Sequence, residues 1–181
     1  MTTTARTADR IEYTTPGMDE DVARQIIDLL QDRLHACNGL QLVLKHVHWN
    51  VVGPQFIAVH KMIDPQVEDV RAMADELAER IATLGGTPQG TPVELARELD
   101  QDYHVGRAST QEHLIALDRY YRGVIERHRS ALEQMERLDA VTQDMLIGQT
   151  QQLELFHWFV RAHLEDPSGR LETDRKARNG N

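Results

Sequence analysis

Apolar residues recur at steps of three and four through almost the whole chain, a period that belongs to helices. Between Met18 and Val51 they fall at positions 22, 26, 29, 30, 34, 37, 40, 44 and 47. Asp19, Glu20 and Asp21 stand ahead of this stripe, where the positive end of a helix dipole favours acids. Gly53-Pro54 stops it. A second helix is expected from about Phe56 to Leu84, with Pro65 inside it as a point where it can kink. "GGTPQGTP" is a loop, and "VELAREL" after it reads as a short connecting helix. A third long helix is expected from about Ala108 to Arg137, and a fourth, capped by Asp139, to about Glu165. No segment reads as a strand. Four long helices with a long connection between the second and third predict an all-α four-helix bundle over residues 18–166, flanked by flexible tails at 1–17 and 167–181.

Composition narrows the function. The 29 acids exceed the 20 lysines and arginines, for a formal net charge of −9, which attracts cations and repels polyanions. DNA binding would have to come from the tails. Arg6 and Arg10 are balanced by Asp9 and Glu12, while Arg175, Lys176 and Arg178 form a small cationic C-terminal end. The longest apolar runs, "LQLVL" and "FIAV", are too short to span a bilayer. The first ten residues have no apolar signal-peptide core, and the single Cys37 suits a reducing compartment, so a cytoplasmic protein is expected.

The second helix carries His60 and Asp64 four apart, and Asp75 and Glu79 four apart again. Each pair offers a hard cation two ligands on one helix face, although such a pair is more often a solvated surface. The two pairs share a broad face but sit about 22 Å apart along the axis, so no single ion bridges them within one straight helix. An antiparallel second copy would bring them together. A two-fold axis near residues 69 and 70 sets His60 opposite Glu79 and Asp64 opposite Asp75. His48, at the end of the first helix, can join His60 across the Gly-Pro turn. His46, two residues earlier, points elsewhere. Trp49 is either ordinary packing or an aromatic group placed to intercept oxidising equivalents.

The stretch "KHVHWNVVGPQFIAVHKMIDPQVEDVRAMADELAERIATLGGTP", with H-W-N, a second histidine twelve residues on and D-x-x-x-E fifteen beyond that, resembles the signature region of the Dps family, the ferritin-like mini-ferritins of starved bacterial cells. "FHWFVRAHLE" is similar to that family's closing helix, so the resemblance spans roughly residues 18–166. It implies a ferritin-like bundle assembled as a dodecamer, with ferroxidase centres at two-fold interfaces. His48, His60 and Asp64 would come from one chain and Asp75 and Glu79 from its mate, with Trp49 beside the iron. The implied reaction is oxidation of Fe(II), preferentially by hydrogen peroxide, with ferric mineral stored in the cage and DNA thereby protected. Asp144, near the start of the last helix, is the candidate for an acidic pore. Some members also coat DNA through lysine-rich tails; this chain departs from that pattern, leaving non-specific DNA binding by the C-terminal end as an open expectation.

Three alternatives remain at this stage. A conventional ferritin or bacterioferritin needs two Glu-x-x-His motifs on separate helices, and only Glu154-Leu-Phe-His157 is present. A non-enzymatic protein that compacts the nucleoid would depend on the tails. A helical interaction bundle without chemistry would leave the His-Asp-Asp-Glu register a coincidence.

Overall fold

The computed structural model describes residues 11, 13–99 and 103–165. Residues 1–10 and 166–181 lie outside that range, and with them the cationic C-terminal end. Helix α1 (Glu20–Asn50) begins where the Asp19 carboxylate accepts the backbone N–H groups of Asp21 and Val22. A two-residue strand β1 (Val51–Val52) follows, then α2 (Phe56–Thr83), which runs unbroken through the exposed Pro65. The short α3 (Pro92–Glu98) starts with proline in its first turn, where no N–H is needed. Strand β2 (Ala108–Ser109) leads into α4 (Thr110–Met135), and α5 (Ala140–Ala162) closes the chain's helical part. Ser109 and Glu112 form a reciprocal capping box at the start of α4.

The strand pair is one feature that the sequence reading did not contain. Val51 pairs with Ala108 and Val52 with Ser109, in parallel. Two residues are too few to produce the alternation by which strands are recognised. Their consequence is topological. They pin the start of α4 beside the turn between α1 and α2, so α2 and α4 run the same way and α3 lies within a connection that crosses the length of the bundle. Helices α1 and α2 pack as one hairpin and α4 and α5 as another, with α1 against α4 and α2 against α5. The core is a continuous apolar stripe from all four, including Leu30, Leu44, Ile63, Leu77, Leu117, Val124 and Leu153. No helix among the described residues is long and apolar enough to cross a membrane.

The end of α2 shows why glycine is required at one place. Gly86 N–H reaches Ile81 O and Gly85 N–H reaches Ala82 O, the paired bonds of a Schellman cap, with Gly85 at φ +89°. A Cβ there would also lie 1.8 Å from Tyr13 O, because the chain ahead of α1 passes over this cap with Ile11 buried.

At the opposite side of the same bundle end, Asp139 caps α5. Its Oδ2 accepts Thr142 N–H at 2.8 Å and Arg80 Nη2 at 2.7 Å, tying α5 to α2. Burial alone would raise the Asp139 carboxyl, but the bonds from Thr142 and Arg80 outweigh it and hold the group below its ordinary value. Asp139→Ala should therefore lower unfolding stability by about 2 kcal/mol, the upper end for a helix cap, because Arg80 loses its partner too. A carboxyl lowered in the folded state stabilises above its unfolded pKa, and that contribution is lost as pH falls through the folded value. Urea titrations at neutral and acid pH should show the gap between wild type and variant closing on acidification.

Candidate metal centre

His48 lies in the last turn of α1 and His60 in the second turn of α2, and the Gly53-Pro54 turn folds them face to face. Their rings stack with centroids 3.7 Å apart and 24° between planes. Each ring donates its Nδ1–H to the other residue's backbone carbonyl, His48 to His60 O at 3.2 Å and His60 to His48 O at 3.0 Å. A neutral imidazole has one N–H, so spending it on a carbonyl leaves the Nε2 lone pair for a metal. Such carbonyl-oriented imidazoles are the usual form of histidine ligands.

Asp64 completes the cluster. Its Oδ1 sits 3.2 Å from His48 Nδ1, and the ligand atoms of His48, His60 and Asp64 all lie within 4.8 Å of one another. Among the described residues this is the one group of three or more histidine, cysteine or acidic side chains that converges in this way. A further neighbour, not among the residues expected at the site, is Lys45, whose Nζ is 2.9 Å from Asp64 Oδ1. It stands three residues before His48, on the same face of α1, but its partner is nineteen residues away on α2. The Lys45 ammonium, with His48 and His60 nearby, holds the Asp64 carboxyl below the usual range. Phe56 packs its ring 5.0 Å from that of His60, and Trp49 stands beside the site 72% exposed.

Asp75 and Glu79 are both exposed on α2 and do not join this cluster within the subunit. Asp144 is exposed near the start of α5. His46 points away, as its position two residues from His48 requires: its Nε2–H donates to Val105 O at 2.7 Å. The lone Glu-x-x-His motif does not make a site either. Glu154 pairs with Arg129, while His157 Nε2 meets Asp118 Oδ1 at 2.8 Å. The bundle centre holds Arg33, fully buried, with Nη1 3.4 Å from His128 Nδ1, and burial together with Arg33 pushes His128 down to about 4. A buried cation there opposes a metal inside the bundle.

A four-helix bundle whose second and third long helices are joined by a crossing connection, with a cluster of candidate metal ligands where α1 turns into α2, has the form of a ferritin-like protein. A family model for the Ferritin-like domain matches residues 27–168. The chain is 56% identical over 160 residues to the DNA protection during starvation protein of Mycolicibacterium smegmatis, covering 88% of this chain and 87% of that one. The solved tetragonal form of Mycobacterium smegmatis Dps superposes with a TM-score of 0.88 at 55% identity, over 90% of this chain and 99% of that one. DpsA14 from Streptomyces coelicolor gives a TM-score of 0.86 at 57% identity, over 88% and 96%. The chain belongs to the Dps family.

Lys45 competes with any cation for Asp64. Lys45→Met removes one positive charge and frees the carboxylate, so a redox-silent divalent ion such as Zn(II) should bind the assembled protein about fivefold more tightly, the worth of about 1 kcal/mol for one charge near a solvated site. Calorimetric titration checks this. Weaker binding by the variant would mean that Lys45 orients Asp64 rather than blocking it.

Proposed function

We propose that this protein is an iron-storing ferroxidase of the cytoplasm, in which Fe(II) is oxidised, preferentially by hydrogen peroxide, at centres shared between two copies of the chain. The observation that carries this reading is the reciprocal His48–His60 pair, in which each Nδ1–H is spent on a carbonyl, so that a neutral ring keeps its Nε2 lone pair for a metal. Two imidazoles and one lysine-bound carboxylate are half of a ligand set. Imidazole suits Fe(II), and carboxylates suit the harder Fe(III) product. Asp75 and Glu79 of a second copy supply the missing acids if α2 packs antiparallel on its mate, and Asp64 contributes once iron displaces Lys45.

The chemistry follows from the electron count. Hydrogen peroxide takes two electrons and two protons to become two waters, and two Fe(II) ions supply both electrons, so no hydroxyl radical need be released. Ferric ions then hydrolyse and collect as mineral inside a dodecameric homo-oligomer, with exposed acids such as Asp144 guiding the cation. DNA is protected because both reagents of radical formation are consumed together. Trp49, exposed beside the ligands, is placed to quench oxidising equivalents that escape.

Complementation tests the shared centre. Subunits carrying His48→Ala and His60→Ala, and subunits carrying Asp75→Asn and Glu79→Gln, should each be nearly inactive in peroxide-driven iron oxidation. Unfolded together and reassembled at random in equal amounts, they should recover about a quarter of the wild-type centres, since about half of the isologous interfaces are then mixed and each mixed interface has one intact centre of its two. No recovery, with normal assembly, would place all the ligands in one chain.

A further inference from the structure

Away from the ligand cluster, the connection before α4 carries a phenol bonded to an imidazole. Tyr103 Oη donates to His113 Nδ1 at 2.8 Å. The ring centroids are 6.2 Å apart with 10° between planes, too distant for face-to-face stacking and right for an O–H directed along the in-plane nitrogen lone pair. His113 is fully buried, and burial lowers its pKa, so the ring is a neutral base. Burial likewise pushes the Tyr103 phenol well above the ordinary tyrosine range, so it does not lose its proton by simple ionisation. A phenol in this setting gives up an electron readily only if its proton leaves at the same time, and His113 Nδ1 is the base bonded to it.

The pair touches the last turns of α1 two residues from His48, on the face that carries His46. The Tyr103 ring meets the edge of His46 at 5.9 Å, and His46 is on α1 two residues before His48 and three before Trp49. His46 is held there by its bond to Val105 O and by Asn50, whose side-chain amide donates to His46 Nδ1 at 3.4 Å. On its other side Tyr103 meets the buried Tyr120 ring at 6.5 Å.

We propose that Tyr103 and His113 form a redox relay that supplies one electron to the metal centre when a single Fe(II) is bound there, the phenolic proton moving to His113 Nδ1. This rests on the ferroxidase reading. One Fe(II) gives peroxide one of the two electrons it needs, and Tyr103 gives the other. With two protons from solvent, hydrogen peroxide becomes two waters, the iron becomes Fe(III), Tyr103 becomes a neutral phenoxyl radical and His113 an imidazolium. The next Fe(II) to bind returns an electron to Tyr103 and is itself oxidised, and His113 returns the proton. The two-electron balance of peroxide reduction is thus kept at partial iron loading, where a lone Fe(II) would otherwise release hydroxyl radical.

The test uses the assembled wild-type protein loaded anaerobically with one Fe(II) per centre, mixed with excess hydrogen peroxide, frozen during turnover and read by electron paramagnetic resonance. A tyrosyl spectrum is expected, altered by ring-deuterated tyrosine. Tyr103→Phe, which keeps the ring's packing, should remove it and increase hydroxyl radical caught by a spin trap. His113→Gln, whose amide oxygen accepts the bond but not the proton, should reduce the radical yield severalfold. A spectrum unchanged in Tyr103→Phe, or iron turnover by the wild type without any tyrosyl signal, overturns the relay and leaves the complementation result standing. A radical that persists in the His48→Ala/His60→Ala protein overturns the link to this centre.

Discussion

The reciprocal bond pair between His48 and His60 is the contact on which the rest of the site depends. A helix leaves its last four carbonyls without partners. Near the end of α1, Val47 O is taken by the N–H of Val51, and His48 O is taken by His60 Nδ1. The bond that finishes α1 therefore also positions a ligand of α2. The reverse bond, from His48 to His60 O, fixes the other ring. Helix capping, closure of the α1–α2 hairpin and tautomer selection are one interaction here, so a change that loosens the turn alters the ligands as well.

That hairpin end is braced from behind. Strand β2 and the connection ahead of it bring Tyr103, Val105 and His113 against the last turn of α1. Asn50 returns a bond to His46 O at 2.8 Å, which closes the helix on its far face. The two faces of the final α1 turn carry different chemistry as a result. One carries His48 toward His60 and Asp64, and the other carries His46 toward Tyr103, which bonds the buried His113. Two residues of helix, about 200° of rotation, separate the candidate ligand cluster from the phenol–imidazole pair.

The helices were legible because each buries a stripe of the right period and carries its own caps. Asp19 and Asp139 cap α1 and α5 as their sequence positions suggest. The observed ends of α4 and α5 are a few residues short of the predicted ones, although Leu138 and Leu164 beyond them still pack on the core, so the apolar pattern outlasts the helix. His48 and His60 were legible because a Gly-Pro break between two helices must bring the flanking turns together. Lys45 was harder. Its role is visible only once α1 lies beside α2, for nothing in local sequence says that a lysine nineteen positions before an aspartate will meet it. The β1–β2 pair was invisible for the same reason, a contact between segments far apart in sequence with too few residues to leave a pattern. His157 was legible as a residue but not as a partner of Asp118, which lies on another helix.

Why the coordination site lies at the edge of the bundle follows from what fills the middle. Arg33 is buried between α1 and α4 with His128 against it and Cys37 Sγ 3.9 Å from His128 Nε2, and burial pushes that thiol up to about 12. The adjacent Asp32, largely exposed, is the acid that pairs with Arg33. A guanidinium cannot give up its proton to make room for a metal, so Arg33, His128 and Cys37 offer no ligand set inside the bundle. On α2, Asp75 and Glu79 lie on the exposed face, apart from the His48–His60–Asp64 cluster of the same chain. On the proposed reading the chemistry is therefore conditional on assembly, because a cluster of two imidazoles and one carboxylate at the edge of a subunit needs further acids that this chain does not bring to it.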